Sequence, residues 1–159
     1  VERKFMIKSL VAAAVLATIG CAAYAEEPMT LEAVSAAAKD GIDFVDNDYI
    51  AARQATNPDL LLLDVRTEHE FNLGHIPGAT WMARGVVEFQ IAKTVRDADT
   101  EIIIYCKTGN RAALAKKALD GQGYRNVAAH QGFETWSEAG RPLENEIGTL
   151  QLIEGRNGN

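Results

Sequence analysis

The sequence predicts an α/β domain in which a parallel sheet of about five strands is flanked by helices on both faces. Two uninterrupted apolar runs, LLLL at 60–63 and IIIY at 102–105, have the composition of strands that are buried on both faces. Strand-like and helix-like segments alternate along the chain, as expected of parallel strands joined by helices. No internal repeat or low-complexity segment interrupts this order, so we expect one domain with a single core.

Helix-terminating residues and apolar spacing define the first elements. Residues 26–41 form a polar, alanine-rich helical extension that packs on the outside of the domain and is ended by Gly41. A short strand at 42–45 (IDFV) precedes a helix at 48–55, whose N-terminal cap we assign to Asn47. An Asn–Pro turn signal then begins the strand segment NPDLLLLDV.

The later elements follow from the same reasoning. Pro77 biases the residue before it away from the helical region, so IPGATWM is expected to be extended. Glycines stop the helix that begins near residue 111, and a last helix precedes Pro142. The predicted segments are a helix or turn at 67–74, an extended stretch at 76–82, a helix at 86–95, a strand at 101–106, a helix at 111–124, a strand at 126–130 and a helix at 132–140. We expect residues 154–159 to fray.

Residues 1–25 have the pattern of a secretory signal peptide. Early basic residues precede an apolar stretch, and the small residues of AYA at 23–25 indicate cleavage after Ala25. We therefore expect export to a bacterial periplasm, with Met6 as an alternative start of the chain. The apolar stretch is short for a membrane span. A second interpretation is lipidation of Cys21, although Thr18 occupies the position where lipoprotein signals have an aliphatic residue.

Charge and cysteine content narrow the function classes. Residues 1–25 carry three cations and one anion, so the 134 residues that follow have a net charge of −8. An acidic chain without basic runs is a poor candidate for binding nucleic acid or an anionic membrane. Cleavage leaves Cys106 as the single cysteine, which excludes an internal disulfide in the exported chain. A lone thiol in an oxidising compartment is either buried and inert or chemically active.

The stretch YCKTGNR, residues 105–111, contains the strongest chemical signal. Cys106 follows a predicted buried strand, at the edge of a parallel sheet where ligands bind. Gly109 and Asn110 tolerate the left-handed backbone that would turn successive N–H groups of KTGNR toward one point. Such an anion nest, with Lys107, Arg111 and the start of a helix nearby, would stabilise a thiolate nucleophile. Cys106 alone would more often be a small buried residue.

Two motifs resemble the rhodanese homology domain. LLLDVRTEHEFNLGHIPGATWM at 61–82 is similar to the family's Asp-x-Arg and Gly-His-Ile-Pro-Gly-Ala signature. The segment IIIYCKTGNRAALAKKALDGQGYRNVAAHQGFETW at 102–136 is similar to its catalytic loop and the elements that follow. The resemblance covers about residues 42–144, which we take as the domain, with 145–159 as a C-terminal tail. It implies a five-stranded rhodanese-like sheet and sulfur transfer with ping-pong kinetics.

The resemblance also implies roles for single residues. Cys106 would accept a sulfane sulfur from a small anionic donor such as thiosulfate and pass it, as a persulfide, to a separate protein or small-molecule acceptor. The amides of Lys107, Thr108, Gly109, Asn110 and Arg111 would cradle this sulfur, and the Arg111 side chain would help to hold a sulfonate or sulfite oxygen. Neither a metal nor another cofactor is expected, because no second His, Cys or carboxylate cluster has ligand spacing.

Other residues near this edge have mainly structural interpretations. Arg66 could contact substrate, but we expect it to pair with Glu70 while Asp64 binds loop amides. His75 is expected to be a hydrogen-bonded turn residue, in a motif whose backbone Pro77 and Gly78 shape. The remaining candidates are His130, which would face the pocket or cap a turn, and Trp81 and Trp136, which would lie in the core or a pocket wall.

Two other functions remain open. A partner-dependent persulfide carrier or anion-binding module would keep the fold without turnover of its own, although an intact CKTGNR loop is typical of an active site. Rhodanese-like phosphatases and arsenate reductases have five residues between cysteine and arginine, whereas this chain has four, KTGN. The shorter loop favours a sulfur-bearing group over a tetrahedral phosphate.

Overall fold

The computed structural model describes residues 27–151. The predicted signal peptide, its cleavage after Ala25, the alternative start at Met6, the lipidation of Cys21 and the fraying of 154–159 all lie outside the described residues. Within residues 27–151, no helix has the length and apolar character that crossing a membrane requires.

The predicted fold class is confirmed: a five-stranded parallel sheet with the strand order β1-β5-β4-β2-β3 forms the centre of the molecule. These strands are β1 (Phe44–Val45), β2 (Leu61–Asp64), β3 (Thr80–Trp81), β4 (Ile102–Tyr105) and β5 (Val127–His130). The helices are α1 (Leu31–Lys39), α2 (Asn47–Thr56), α3 (Glu68–Leu73), α4 (Val87–Thr94), α5 (Asn110–Gly121) and α6 (Phe133–Glu138). β4 is the middle strand, and the loop that follows it therefore lies at the centre of the sheet edge.

The apolar runs are buried on both faces, as predicted. Ile102 and Ile104 of β4 pack in a core cluster with Val87 and Ile91 of α4, and with α5. Ile103 and Tyr105, which point to the opposite face, pack in a second cluster that includes Ile50 of α2 and Trp136 of α6. Both faces of the sheet are therefore covered by helices, and the Trp136 ring belongs to the core.

The cap of α2 differs from the prediction. Asp46 is the N-cap residue, and its carboxylate accepts a hydrogen bond from the backbone N–H of Tyr49 at 2.8 Å. Asp46 has the extended backbone of a capping residue, whereas Asn47 is already helical. The Asn47 side chain is therefore free for a different role, a long-range hydrogen bond to the Thr135 carbonyl of α6.

Two further features lie outside the sheet: the first was not predicted, and the second is the helix that the sequence predicted within 26–41. β6 (Leu143–Asn145) and β7 (Gly148–Leu150) form an antiparallel hairpin that crosses the predicted boundary at residue 144. The hairpin is joined to the domain because His75 and Glu144 exchange backbone hydrogen bonds of 2.9 Å. The second feature is α1, which is capped by Thr30 and packs against α5, so it lies beside the loop that precedes α5.

Candidate active site

Cys106 lies immediately after β4, at the carboxyl edge of the sheet, and its side chain is buried. The pairing of Asp64 with Tyr105 brings the end of β2 to the same edge. The sheet therefore brings Cys106, Asp64 and Arg66 into one region, as the sequence predicted. This edge of a parallel sheet is the usual location of a ligand site.

The loop after Cys106 presents a row of free backbone donors. Within residues 27–151, no protein acceptor bonds the backbone N–H groups of residues 107–112. Gly109 has a φ of +88° and serves as the N-cap of α5, whose first internal bond runs from the Ala113 N–H to the Gly109 carbonyl. Loop amides and orphan helix amides thus follow one another without interruption, which is the arrangement that binds anions.

The loop is held from one side by the start of α6. The Phe133 N–H donates to the Cys106 carbonyl at 2.7 Å, and the Glu134 N–H donates to the Lys107 carbonyl at 3.1 Å. A Cβ on Gly132 would lie 2.3 Å from the Lys107 carbonyl oxygen, and the φ of Gly132 is +133°. Only glycine allows this close approach. The two bonds fix the carbonyls of Cys106 and Lys107 against the start of α6.

A buried histidine network stabilises the turn at Gly132. The Gly132 N–H donates to His130 Nδ1 at 3.1 Å, and His130 Nε2 lies 2.9 Å from Asn47 Oδ1. Asn47 Nδ2 in turn donates to the Thr135 carbonyl. Burial lowers the pKa of His130 to about 4, so the ring is neutral at physiological pH. Of the two predicted roles for His130, this geometry matches the capping of a turn.

Both cations of the loop are paired with carboxylates. Lys107 Nζ lies 3.2 Å from Glu134 Oε1, and Arg111 donates to Glu70 at 3.1 and 3.2 Å. The hydrogen bonds from Arg111 lower the pKa of Glu70 to about 2. Glu70 is the main cause of a raised pKa of Arg111, and the Cys106 side chain is a smaller one.

The predicted pairing of Arg66 with Glu70 is wrong. Arg66 instead makes a buried bidentate ion pair with Asp64, with Nη2 and Oδ2 separated by 2.6 Å. Asp64 also accepts the backbone N–H of Arg66 at 2.9 Å, as expected of a residue that binds loop amides. Two residues of separation suit this local pair, whereas Glu70 is held by Arg111 and by its capping box with Thr67.

The Arg66 side chain connects the sheet edge to a neighbouring pocket. Its Nη2 donates to the Gly74 carbonyl at 2.7 Å, and its guanidinium lies 4.0 Å from the centre of the Phe133 ring. Because only 4% of Arg66 is exposed, this geometry favours a scaffold role. The pocket measures about 390 Å³ and is lined by Arg66, Glu70, Leu73, Gly74, Lys107, Phe133, Glu134, Ser137 and Leu143.

The other predicted support residues have defined contacts. His75 Nδ1 donates to the Phe71 carbonyl at 2.9 Å, and the two rings stack with centroids 3.7 Å apart. This contact matches the predicted hydrogen-bonded turn. The half-buried Trp81 donates from Nε1 to the Arg66 carbonyl at 3.1 Å. Within the part of the chain that the structure describes, no three His, Cys, Asp or Glu side chains are arranged to hold a metal ion.

Sequence reasoning missed three contributors to this site. Glu134 pairs with Lys107, Gly132 admits the loop, and Ser35 of α1 accepts a hydrogen bond from Asn110. The Gly-Phe pair after the last strand was a usable signal for Gly132. Nothing in the local sequence pointed to Ser35 or Glu134, because both act through contacts between distant parts of the chain.

Known proteins with a similar sequence or structure include sulfurtransferases. A family model for the rhodanese-like domain matches residues 46–139. A sulfurtransferase of Allochromatium vinosum is 30% identical over 103 residues, which cover 64% of this chain and 94% of that protein. The polysulfide-sulfur transferase homodimer from Wolinella succinogenes has a solution structure that is similar at a TM-score of 0.59 and 28% identity, over 80% of this chain and 90% of that chain.

A further solved structure is similar at a TM-score of 0.60 and 30% identity, over 74% of this chain and 99% of that chain. It is the Rhodopseudomonas palustris protein RPA3614, described as a protein of unknown function and a possible tyrosine phosphatase. The named sulfurtransferases support a sulfurtransferase or rhodanese-like role. The family match spans more than half of the chain and includes Cys106 and its loop. The resemblance noted in the sequence is therefore confirmed, and the chain belongs to the rhodanese-like domain family.

Proposed function

We propose that this protein is a sulfurtransferase that carries a sulfane sulfur as a persulfide on Cys106. The observation that carries the proposal is the row of backbone N–H groups at 107–112 that find no acceptor among residues 27–151, beside a buried cysteine. A persulfide is an anion at neutral pH, and its terminal sulfur needs donors in a site with little water. Backbone amides supply these donors without any loss of side-chain conformational entropy.

The first half-reaction forms the persulfide. The Cys106 thiolate attacks the outer sulfur of thiosulfate, the sulfur–sulfur bond of thiosulfate breaks, and sulfite leaves with the bonding electron pair. The terminal sulfur of the persulfide keeps the negative charge that it carried in thiosulfate, and sulfite leaves as a dianion, so the total charge is unchanged. Arg111 and the N-terminus of α5 favour the anionic donor, while Glu70 holds the Arg111 guanidinium in place.

The second half-reaction returns the enzyme to its thiolate form. A nucleophilic acceptor attacks the terminal sulfur, the persulfide bond breaks, and the electron pair returns to Cys106. No oxidant or reductant is consumed. Because the donor product leaves before the acceptor reacts, the two substrates give ping-pong kinetics.

The pocket beside the loop is our candidate for the place where the acceptor approaches. Its volume of about 390 Å³ is within the range of organic-ligand pockets and far exceeds what an ion as small as thiosulfate fills. Leu73, Phe133 and Leu143 provide an apolar wall, and the Lys107–Glu134 ion pair borders it. These features support an organic or protein-borne acceptor more than a small inorganic one.

We also propose that the protein acts in the periplasm, after cleavage at Ala25. The support is the basic, apolar and small-residue pattern of 1–25. Osmotic-shock fractionation and N-terminal sequencing test this location. A mature N-terminus at Glu26 in the periplasmic fraction is expected, and a lipid-modified Cys21 in the membrane fraction would contradict the proposal.

Two other functions, a persulfide carrier and a phosphatase, would give different experimental results. A persulfide carrier would accept sulfur but release it only to one partner protein. A phosphatase, the class suggested for RPA3614, would hydrolyse phosphate esters. Four residues between Cys106 and Arg111 argue against a phosphate-binding loop.

The first prediction concerns Cys106 itself. The purified protein should form thiocyanate from thiosulfate and cyanide, and thiosulfate alone should add the mass of one sulfur atom. Cys106→Ser should lose both signals, because its hydroxyl neither ionises nor accepts sulfur under these conditions. Colorimetric detection measures the thiocyanate formed, and intact-mass spectrometry measures the mass gain.

The pattern of results separates the candidates. A mass gain without turnover indicates the carrier, and hydrolysis of p-nitrophenyl phosphate that depends on Cys106 indicates the phosphatase. If neither thiosulfate nor polysulfide adds a sulfur atom to Cys106, the proposed function is wrong.

A further inference from the structure

The helix α1 contacts the proposed persulfide loop although it lies outside the family match. That match begins at residue 46, whereas α1 spans Leu31–Lys39. Asn110 Nδ2 donates to Ser35 Oγ at 3.0 Å, and this bond joins residues that are 75 positions apart in sequence. Asn110 is the first residue of α5 and belongs to the row of free amides. A side chain of α1 therefore contacts the loop.

The orientation of the Asn110 side chain depends on Ser35. Asn110 Oδ1 is buried and has no hydrogen-bond partner among residues 27–151. The bond to Ser35 is the only one that the described residues provide to the Asn110 amide group. Removing the Ser35 hydroxyl would leave a partly buried amide without any partner, and such a group gains by turning toward water. The backbone of Asn110 would then lose a constraint.

The adjacent residue of the loop, Gly109, is constrained by other parts of the chain. A Cβ on Gly109 would lie 3.0 Å from Phe44 Cε1 and 3.1 Å from the Gln131 carbonyl oxygen. β1 and the segment after β5 therefore enclose Gly109. Ser35 supplies the matching constraint at Asn110. The loop is thus supported at Gly109 by β1 and the segment after β5, and at Asn110 by α1.

A second bond between α1 and α5 provides a comparison. Lys117 Nζ donates to the Ala37 carbonyl at 3.1 Å, about two turns along α5 from Asn110. This bond also ties α1 to α5, and Ala38, the next residue of α1, is buried. It does not involve the loop. Breaking the Lys117 bond therefore tests the attachment of α1 alone, whereas breaking the Ser35 bond also tests the positioning of the loop amides.

We propose that Ser35 is a positioning residue for the anion-binding loop, and that α1 is a working part of the site. Through Asn110, Ser35 keeps the N–H groups of 109–111 directed at the anion next to Cys106. This inference rests on the proposed function for its biological meaning. Its physical content, the binding of an anion at the loop, is testable without sulfur transfer.

The test compares Ser35→Ala, Ser35→Thr and Lys117→Met in the full chain. The first readout is the ratio of Cys106 alkylation rates with iodoacetate, which is anionic, and iodoacetamide, which is neutral. Ser35→Ala should lower this ratio about three- to tenfold, the equivalent of one hydrogen bond, and should raise the KM for thiosulfate more than it lowers kcat. Ser35→Thr keeps a hydroxyl and should retain values near wild type.

Lys117→Met is the matched control, because it removes a bond between the same two helices away from the loop. It should leave the alkylation ratio and the KM unchanged even if it lowers the melting temperature. The inference is wrong if Ser35→Ala leaves the ratio unchanged or if Lys117→Met lowers it equally. It is also possible to find that Ser35→Ala lowers the alkylation ratio while the wild-type protein transfers no sulfur. That pair of results would uphold the inference and overturn only the proposed function.

Discussion

At the scale of single residues, Gly132 determines whether the loop can take its shape. Its backbone has a positive φ, and the Lys107 carbonyl occupies the space that any side chain would need. The sequence placed it only at the start of the last predicted helix, 132–140. Its importance becomes clear once α6 and the loop lie against each other.

We predict that Gly132→Ala damages both stability and activity. The added methyl group must displace the loop backbone, so the free energy of unfolding should fall by about 2–4 kcal/mol. Persulfide formation should fall further than stability alone explains, because the amides of 107–109 move. Urea denaturation and the mass-gain assay measure the two effects. Gly85→Ala is the control, since a Cβ there meets no atom within 4 Å; equal behaviour of the two variants would contradict the prediction.

At the scale of elements, α3 and α5 are joined by one ion pair that also sets the charge near Cys106. Glu70 binds Arg111, and its low pKa of about 2 keeps it ionised at any pH where the protein is expected to act. The charge of Arg111 is therefore largely compensated before a donor arrives. We infer that Glu70 fixes the position of the Arg111 guanidinium and, in doing so, weakens its attraction for anions.

We predict that Glu70→Gln lowers the KM for thiosulfate by about two- to fivefold at low salt. Glutamine can keep the capping bonds at Thr67, while the positive charge of Arg111 is no longer offset. The effect should shrink as ionic strength rises. Steady-state kinetics at low and high salt check this, with the exposed Glu68→Gln of the same helix as control. An unchanged or higher KM at low salt would show that Glu70 matters only for geometry.

At the scale of the whole molecule, the neutral His130 links stability to pH. The folded protein binds a proton at this ring with a pKa of about 4, below the ordinary value of about 6.5. The unfolded chain therefore takes up more protons as the pH falls below 6.5. Stability is fully present above that pH and is lost progressively toward pH 4.

We predict that the free energy of unfolding falls by about 2 kcal/mol between pH 7 and pH 5 because of His130. Glu70 contributes little in this window, since its pKa of about 2 affects stability only at lower pH. Urea denaturation between pH 7 and pH 5 should show this fall in the free energy of unfolding with pH in the wild type and in the exposed-site control His69→Gln. His130→Gln should remove most of it. A slope that persists in His130→Gln would assign the pH dependence to other groups.

Apart from the β6–β7 hairpin, which it did not predict, the sequence by itself determined the class of fold, the succession of helices and sheet strands along the chain from α1 to α6, and the position of Cys106 at the sheet edge. It could do so because apolar runs, helix signals and a glycine-containing loop are local features. Tertiary structure alone decided the partners: Arg66 with Asp64, Glu70 with Arg111, Lys107 with Glu134, and Asn110 with Ser35. Most of these pairs join residues far apart in the chain, and several carboxylates were equally available to each cation. Only the packing of α1, α3 and α6 around the end of β4 determines which of them lie within bonding distance.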